Sequence, residues 1–117
     1  MNYSFIITVY NRPQEIKELL ESMTALEFSR KFEVVIVEDG SDNPAIKVVD
    51  LYRKKLDIAY FQKENSGPGD SRNYGMERAN GNYFLILDSD VILPPDYLQE
   101  VDAYLIADFF DFFGGPD

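Results

Sequence analysis

The chain has no cysteine and no histidine among its 117 residues. Their absence excludes disulfides, thiol nucleophiles, zinc sites of the usual ligand types and any imidazole base. Acid and base chemistry must then fall to carboxylates, lysine or tyrosine. Basic residues are scarce as well: 11 Lys and Arg stand against 21 Asp and Glu, a formal net charge of −10. That balance argues against nucleic acid as a partner, because phosphate neutralisation needs cations, and an anionic small substrate would need a metal or a placed arginine. No apolar run approaches the roughly 20 residues that span a bilayer. The start Met1-Asn2-Tyr3-Ser4 lacks the charged segment that leads into a signal helix. A cytoplasmic location is the expectation.

What is present suffices for one domain. Apolar residues make up 45% of the chain, with 9 Phe and 8 Tyr, enough for a core at this length. Neither a repeat nor a low-complexity segment interrupts it.

Strand and helix patterns alternate along the chain. Phe5 to Tyr10 is a continuous apolar and β-branched run, the pattern of a strand covered on both faces, and it is read as ending at Asn11. Pro13 suits a first helical position, and Ile16, Leu19, Leu20 and Met23 recur at helical spacing. Phe32 to Val37 is a second strand. Asn43-Pro44 then reads as a cap and first residue of a helix to about Arg53, with Ile46, Val49 and Tyr52 inward.

Ile58 to Phe61 makes a brief third strand, and Asn65-Ser66-Gly67-Pro68-Gly69 a loop into a helix that Gly81 ends. Tyr83 to Leu87 is a fourth strand, and a helix is expected from about Asp96 to Tyr104, with Phe109 to Phe113 as a candidate fifth strand. Such alternation implies right-handed crossovers and a mainly parallel sheet flanked by helices, an α/β, Rossmann-like class. Gly114-Gly115-Pro116-Asp117 reads as a turn with nothing after it, so a truncated fold is expected.

Two strands end in acids. Leu85-Ile86-Leu87 runs into Asp88-Ser89-Asp90, and Ile36-Val37 into Glu38-Asp39-Gly40-Ser41. Open α/β sheets bind ligands outside the carboxyl ends of their strands, so both point to one crevice. In extended backbone Asp88 and Asp90 share a face, about 6.5 to 7 Å apart. Like charges so placed repel unless a cation bridges them, and Mg²⁺ or Mn²⁺ takes such oxygen ligands when substrate phosphates complete its shell. A polar turn with a helix cap is the plain alternative.

Glu38-Asp39-Gly40-Ser41 is equally open to reading as a strand-ending turn. A carboxylate at Asp39 can also accept a hydrogen bond from the ring N–H of a pyrimidine, with Tyr10 lying against the base. Gly67-Pro68-Gly69-Asp70-Ser71-Arg72 brings backbone close to a ligand and opens a helix whose N-terminus favours anions, and Arg72 adds a positive charge. A dinucleotide fingerprint fits less well. Arg72 takes the third glycine's place, and five residues separate Phe61 from Gly67 where a tight turn is needed.

In order and spacing these segments resemble family 2 of the inverting nucleotide-sugar glycosyltransferases, which have the GT-A fold. The resemblance is carried by Thr8-Val9-Tyr10-Asn11-Arg12, Val37-Glu38-Asp39-Gly40-Ser41-Asp42, Asn65 through Gly75 and Asp88-Ser89-Asp90. It implies that Thr8 and Tyr10 line a uracil or related base, that Asp39 bonds its ring nitrogen and that Arg72 lies near base and phosphates. Asp88 would face the ribose or the metal, and Asp90 would ligate Mn²⁺ or Mg²⁺. A UDP-sugar donor and transfer to an acceptor hydroxyl with inversion are implied too.

Glu38 stands where the family usually has a second Asp, a longer arm expected to change little. The acceptor site and catalytic carboxylate of such enzymes lie beyond the acid-x-acid motif. Residues 1–117 are therefore expected to form the nucleotide-sugar-binding part, binding nucleotide without turnover, with any membrane association supplied by further segments.

Two other functions share parts of the pattern. A receiver-type signalling domain gathers acids around Mg²⁺, but needs an acid pair after strand one, where this chain has Tyr10-Asn11, and a lysine after strand five, where none follows Lys63. A sugar nucleotidyltransferase commonly carries a glycine-rich basic loop after strand one, which Asn11-Arg12-Pro13-Gln14 does not resemble. Phe109, Phe110, Phe112 and Phe113, with an open sheet edge, lead to an expectation of self-association.

Overall fold

The computed structural model describes residues 2–113, with side chains through Ile106. Its elements are β1 (Tyr3–Val9), α1 (Pro13–Thr24), β2 (Phe32–Asp39), α2 (Ile46–Tyr52), β3 (Ile58–Lys63), α3 (Pro68–Arg78), β4 (Tyr83–Asp88) and α4 (Tyr97–Phe113). The four strands form one sheet in the order β3-β2-β1-β4, with every pairing parallel. The expected mainly parallel sheet with helices on its faces is what the chain forms.

The apolar strands are explained by burial on both faces. Tyr3, Phe5, Ile7 and Val9 of β1 join Val34 and Ile36 of β2 in a core completed by Ile16, Leu19, Leu20 and Met23 of α1, Val49 and Tyr52 of α2, and Leu98 of α4. Their neighbours Ile6, Val35 and Val37 point the other way, into a smaller cluster with Phe61, Tyr74, Met76 and Ala79. Period-two alternation thus sends α1, α2 and α4 to one face of the sheet and α3 to the other.

Register sets the height of the site. Thr8 is level with Val37 on one side and Asp88 on the other, and Asp39 is level with Lys63. The carboxyl ends of four strands therefore meet at one edge of the sheet. β4 is an edge strand, and on it Tyr83, Phe84 and Ile86 are exposed.

Several boundaries differ from the sequence reading: β2 runs on to Asp39 and β3 to Lys63, α3 ends at Arg78 ahead of Gly81, and three others have a local cause. β1 stops at Val9 because Asn11 takes a left-handed turn, φ +53°, which asparagine tolerates better than most residues. Its N–H donates to Ser41 Oγ at 2.8 Å and its Oδ1 accepts the Asn43 N–H at 2.9 Å, tying the β1–α1 turn to the β2–α2 loop. α2 starts at Ile46 rather than at Pro44, for a reason given below.

The third difference is larger: Phe109 to Phe113 is not a fifth strand but the last stretch of α4. Tyr97, Val101 and Leu105 pack against the main core at four-residue spacing, and no Gly or Pro interrupts the chain from Tyr97 to Phe113. A helix already nucleated continues through such a segment. The side chains of Phe109, Phe110, Phe112 and Phe113, on which self-association was argued, lie outside the described residues, as does the turn read at 114–117. Among the described residues no helix is long and apolar enough to cross a membrane.

At Gly75 α3 packs closely on the sheet: a Cβ there would lie 3.0 Å from Ile6 Cγ2 and 3.2 Å from Val37 Cγ2. Gly75→Val should cost about 1–3 kcal/mol through overpacking, read as a lower urea midpoint at unchanged slope. An unchanged midpoint would contradict this close approach.

Candidate functional site

Glu38 and Asp39 follow one another at the end of β2, and the pleat sends them to opposite faces. Both are buried, at 2% and 5% exposure, so each carboxylate must be satisfied by the protein around it. The two are satisfied by different elements.

Glu38 faces the α1/α2 side. Its Oε1 accepts the Ala45 N–H at 2.7 Å and the Tyr60 hydroxyl at 2.6 Å, and its Oε2 accepts the Ser41 hydroxyl. A side chain seven residues upstream thus satisfies a free donor at the start of α2. That bond holds Ala45 as the residue before α2, so the helix begins later than Asn43-Pro44 suggested. Burial, then the bond to Glu38, pushes the Tyr60 phenol well above its ordinary range.

Asp39 faces α3. Its Oδ1 accepts the Lys63 ammonium at 3.0 Å and the Ser66 N–H at 2.8 Å, and its Oδ2 accepts the Gly67 N–H at 3.0 Å, with Asn65 Nδ2 at 3.5 Å. Burial alone would raise the Asp39 pKa. The Ser66 N–H, the Lys63 ammonium and the Gly67 N–H outweigh it and hold the carboxyl below its usual value.

Gly40 makes the approach possible. It sits at φ +68°, and a Cβ there would lie 2.5 Å from the Asn65 nitrogen. The Asn65 amide also donates to the Asp39 carbonyl at 3.0 Å.

Beside this corner lies an open cavity of about 660 Å³ lined by Thr8, Tyr10, Asp39, Asp88 and Asp90, together with Arg12, Glu15, Asn65, Gly67, Pro68 and Ser89. Five of the six residues singled out from sequence therefore share one cavity. Tyr10 is half-exposed at its edge, with its ring available to a flat ligand. Arg72, the sixth, is half-buried on α3 and does not line the cavity.

The Asp88 and Asp90 side chains are exposed, and neither has a hydrogen-bond or ion-pair partner among the described residues. Their neighbour Ser89, also on the cavity wall, donates to Glu15 at 2.9 Å. Unpaired carboxylate oxygens of this kind suit a hard divalent cation. Among the described residues no cluster of three or more acidic, His or Cys side chains could hold one unaided. The donor set therefore fits a metal whose shell is completed by phosphates and water.

Lys63 and Glu38 went unassigned in the sequence reading. Lys63 had a signal: it ends β3 opposite Asp39 in parallel register, an acid beside a base at neighbouring strand tips. Glu38 had none beyond its adjacency to Asp39, because Ala45 and Tyr60 approach it only in three dimensions.

A depressed carboxyl pKa stabilises the fold above the unfolded value, about 3.9 for aspartate, and that stabilisation is lost as pH falls through the folded value. Denaturant midpoints of the wild type should therefore drop below about pH 4 more steeply than those of Asp39→Asn. Parallel pH profiles would contradict the bonding described for Asp39.

The profile of glycosyl transferase family 2 matches residues 4–116. Poly(ribitol-phosphate) β-N-acetylglucosaminyltransferase TarS of Staphylococcus aureus is 35% identical over 108 residues, 90% of this chain but 19% of TarS. Poly-β-1,6-N-acetyl-D-glucosamine synthase of Staphylococcus epidermidis is 29% identical over 107 residues, 91% of this chain and 25% of the synthase. The crystal structure of S. aureus TarS 1–349 with UDP-GlcNAc superposes with a TM-score of 0.85 at 35% identity, covering 92% of this chain and 32% of that one. Mannosyltransferase PcManGT from Pyrobaculum calidifontis, in complex with GDP-Man and Mn²⁺, gives 0.81 at 25% identity, covering 88% and 32%. The chain thus spans about a fifth of TarS and a third of these solved chains. With its GT-A-type parallel sheet and its acid-tipped strands at one cavity, the chain belongs to glycosyl transferase family 2.

Proposed function

We propose that this chain is the nucleotide-sugar-binding part of a glycosyltransferase that uses a UDP-sugar and a divalent metal. The observation that carries the reading is the division of labour within one cavity: a bonded, acceptor-only carboxylate at Asp39 and two unpaired carboxylates at Asp88 and Asp90. The likeness to TarS, solved with UDP-GlcNAc, supports a nucleotide-sugar ligand, and that to PcManGT, solved with Mn²⁺, supports a metal.

In this reading the base enters over Tyr10 and Thr8 and gives its ring N–H to Asp39. The diphosphate extends towards Asp88 and Asp90. Mn²⁺ or Mg²⁺ bound by Asp90, with Asp88 beside it or on the ribose, would offset the charge that grows on the departing diphosphate. Four acidic residues line the cavity against one cation, Arg12. An unaccompanied diphosphate would therefore be repelled, and metal and nucleotide should bind together. Arg72 would reach the phosphates from α3. A carboxylate base outside these residues would take the proton from the acceptor hydroxyl, giving inversion at the sugar, and the chain alone binds nucleotide without turnover.

Calorimetric titration tests this. UDP should bind at least about tenfold more tightly with Mn²⁺ than without it, and more tightly than ADP under the same conditions. Asp90→Asn should lose the gain from Mn²⁺ while keeping the weak metal-free binding. UDP affinity indifferent to Mn²⁺, or an Asp90→Asn variant that still responds to it, would overturn the metal assignment.

A further inference from the structure

Lys63 is buried to an extent unusual for a lysine, its side chain 13% exposed beside an Asp39 side chain that is 7% exposed. Its ammonium donates to Asp39 Oδ1 at 3.0 Å, to the Glu64 carbonyl at 2.7 Å and to the Ser66 hydroxyl, with the buried Ser71 Oγ at 3.4 Å. Three N–H groups thus meet four acceptors, and the amine is fixed in place. It joins the end of β3, the loop at 64–66 and the first turn of α3 to the tip of β2.

The effect on Asp39 can be counted. An ionised carboxylate offers about four lone-pair sites and donates nothing, whereas a protonated one donates. Lys63 and the Ser66 N–H take both sites on Oδ1, and the Gly67 N–H takes one on Oδ2 at 3.0 Å. The remaining site, on Oδ2, is met only by Asn65 Nδ2 at 3.5 Å, a contact too long to be strong. Asp39, Asn65 and Gly67 all line the cavity, so this weakly held site belongs to the cavity wall.

A group fixed as acceptor-only distinguishes the pyrimidines. Uracil presents a ring N–H, which an ionised carboxylate accepts. Cytosine presents a bare ring nitrogen at the same position, which sets lone pair against lone pair. A protonated Asp39 would lose this distinction, because its O–H could serve the cytosine nitrogen, and a rotated one would no longer present its free lone pair to the ring. A site built around a substrate N–H rejects an analogue lacking it, since a buried polar group is left unpaired.

We propose that Lys63 is a specificity-positioning residue: its ammonium locks Asp39 as a charged acceptor with one site left for a ring N–H, so that uridine nucleotides are taken over cytidine nucleotides. This rests on the reading of Asp39 as the base contact. Lys63 does not line the cavity and acts through Asp39.

The test is the ratio of UDP to CDP affinity, measured with Mn²⁺ on the wild-type chain and on Lys63→Met, Lys63→Gln and Lys63→Arg, each first shown by thermal unfolding to be folded. The wild type should prefer UDP by at least about tenfold. Lys63→Met should lose most of that preference, and so should Lys63→Gln, which keeps an N–H donor for the loop but carries no charge. Lys63→Arg, which keeps the cation, should retain more of it than either. A purely structural role would weaken both nucleotides together and leave the ratio alone, so an unchanged ratio in Lys63→Gln overturns the role of Lys63. A wild type that binds UDP and CDP equally, or neither, overturns the reading of Asp39 and with it this proposal.

Discussion

The arrangement of the site depends on one buried carboxylate. Asp39 sits at the tip of β2, where backbone donors from the loop before α3 and the ammonium at the end of β3 converge on it. Removing a charged acceptor from water is costly unless its lone pairs are filled, and here the filling groups come from the end of β3 and from the loop before α3. The same bonds that make burial tolerable therefore fix the loop at 65–67, the start of α3 and the wall of the cavity. The strand-ending turn that was the plain alternative for Asp39 is present too: the carboxylate holds the loop that leads into α3 through the Ser66 and Gly67 N–H groups. The loop it holds borders the cavity that Asp39, Asn65 and Gly67 line.

The neighbouring residue shows how the pleat divides work. Even-numbered residues of β2, Val34, Ile36 and then Glu38, serve the face of α1 and α2, while Val35, Val37 and then Asp39 serve the face of α3. Two adjacent acids that look like a repeated motif in the sequence are thus separate devices. Glu38 organises the start of α2 together with Tyr60 and Ser41, and Asp39 organises the start of α3. A one-residue shift of β2 would exchange them and leave both unsatisfied, so the apolar alternation along the strand also sets the register of the site.

Much of this was readable beforehand because it depends on local pattern. The four strands are short apolar runs that end in acids or turn residues, and their helices carry apolar stripes. The gathering of Thr8, Tyr10, Asp39, Asp88 and Asp90 follows from a rule about strand ends that needs no coordinates. What escaped the sequence depends on distance across the fold. Glu38 reaching Ala45, Asn11 turning back to Ser41 and Lys63 bonding Asp39 are pairings between strand ends and loops whose approach is set by sheet register. The segment from Phe109 to Phe113 was misread for another reason: an aromatic-rich run has strand propensity, but continuity with a helix already packed on the core overrides it.

The central claim is that Asp39 at one end of the cavity and Asp88 with Asp90 at the other hold a single nucleotide. Backbone amide NMR of the ¹⁵N-labelled chain tests it most directly, using UDP with Mg²⁺ for shift changes and trace Mn²⁺ for paramagnetic broadening. The predicted result is shift changes centred on Thr8 to Tyr10, Asp39 and Asn65 to Gly67, with broadening centred on Asp88 to Asp90. Changes confined to the apolar groove between β4 and α4, lined by Phe84, Val101 and Leu105, would contradict it. So would broadening that misses the tip of β4.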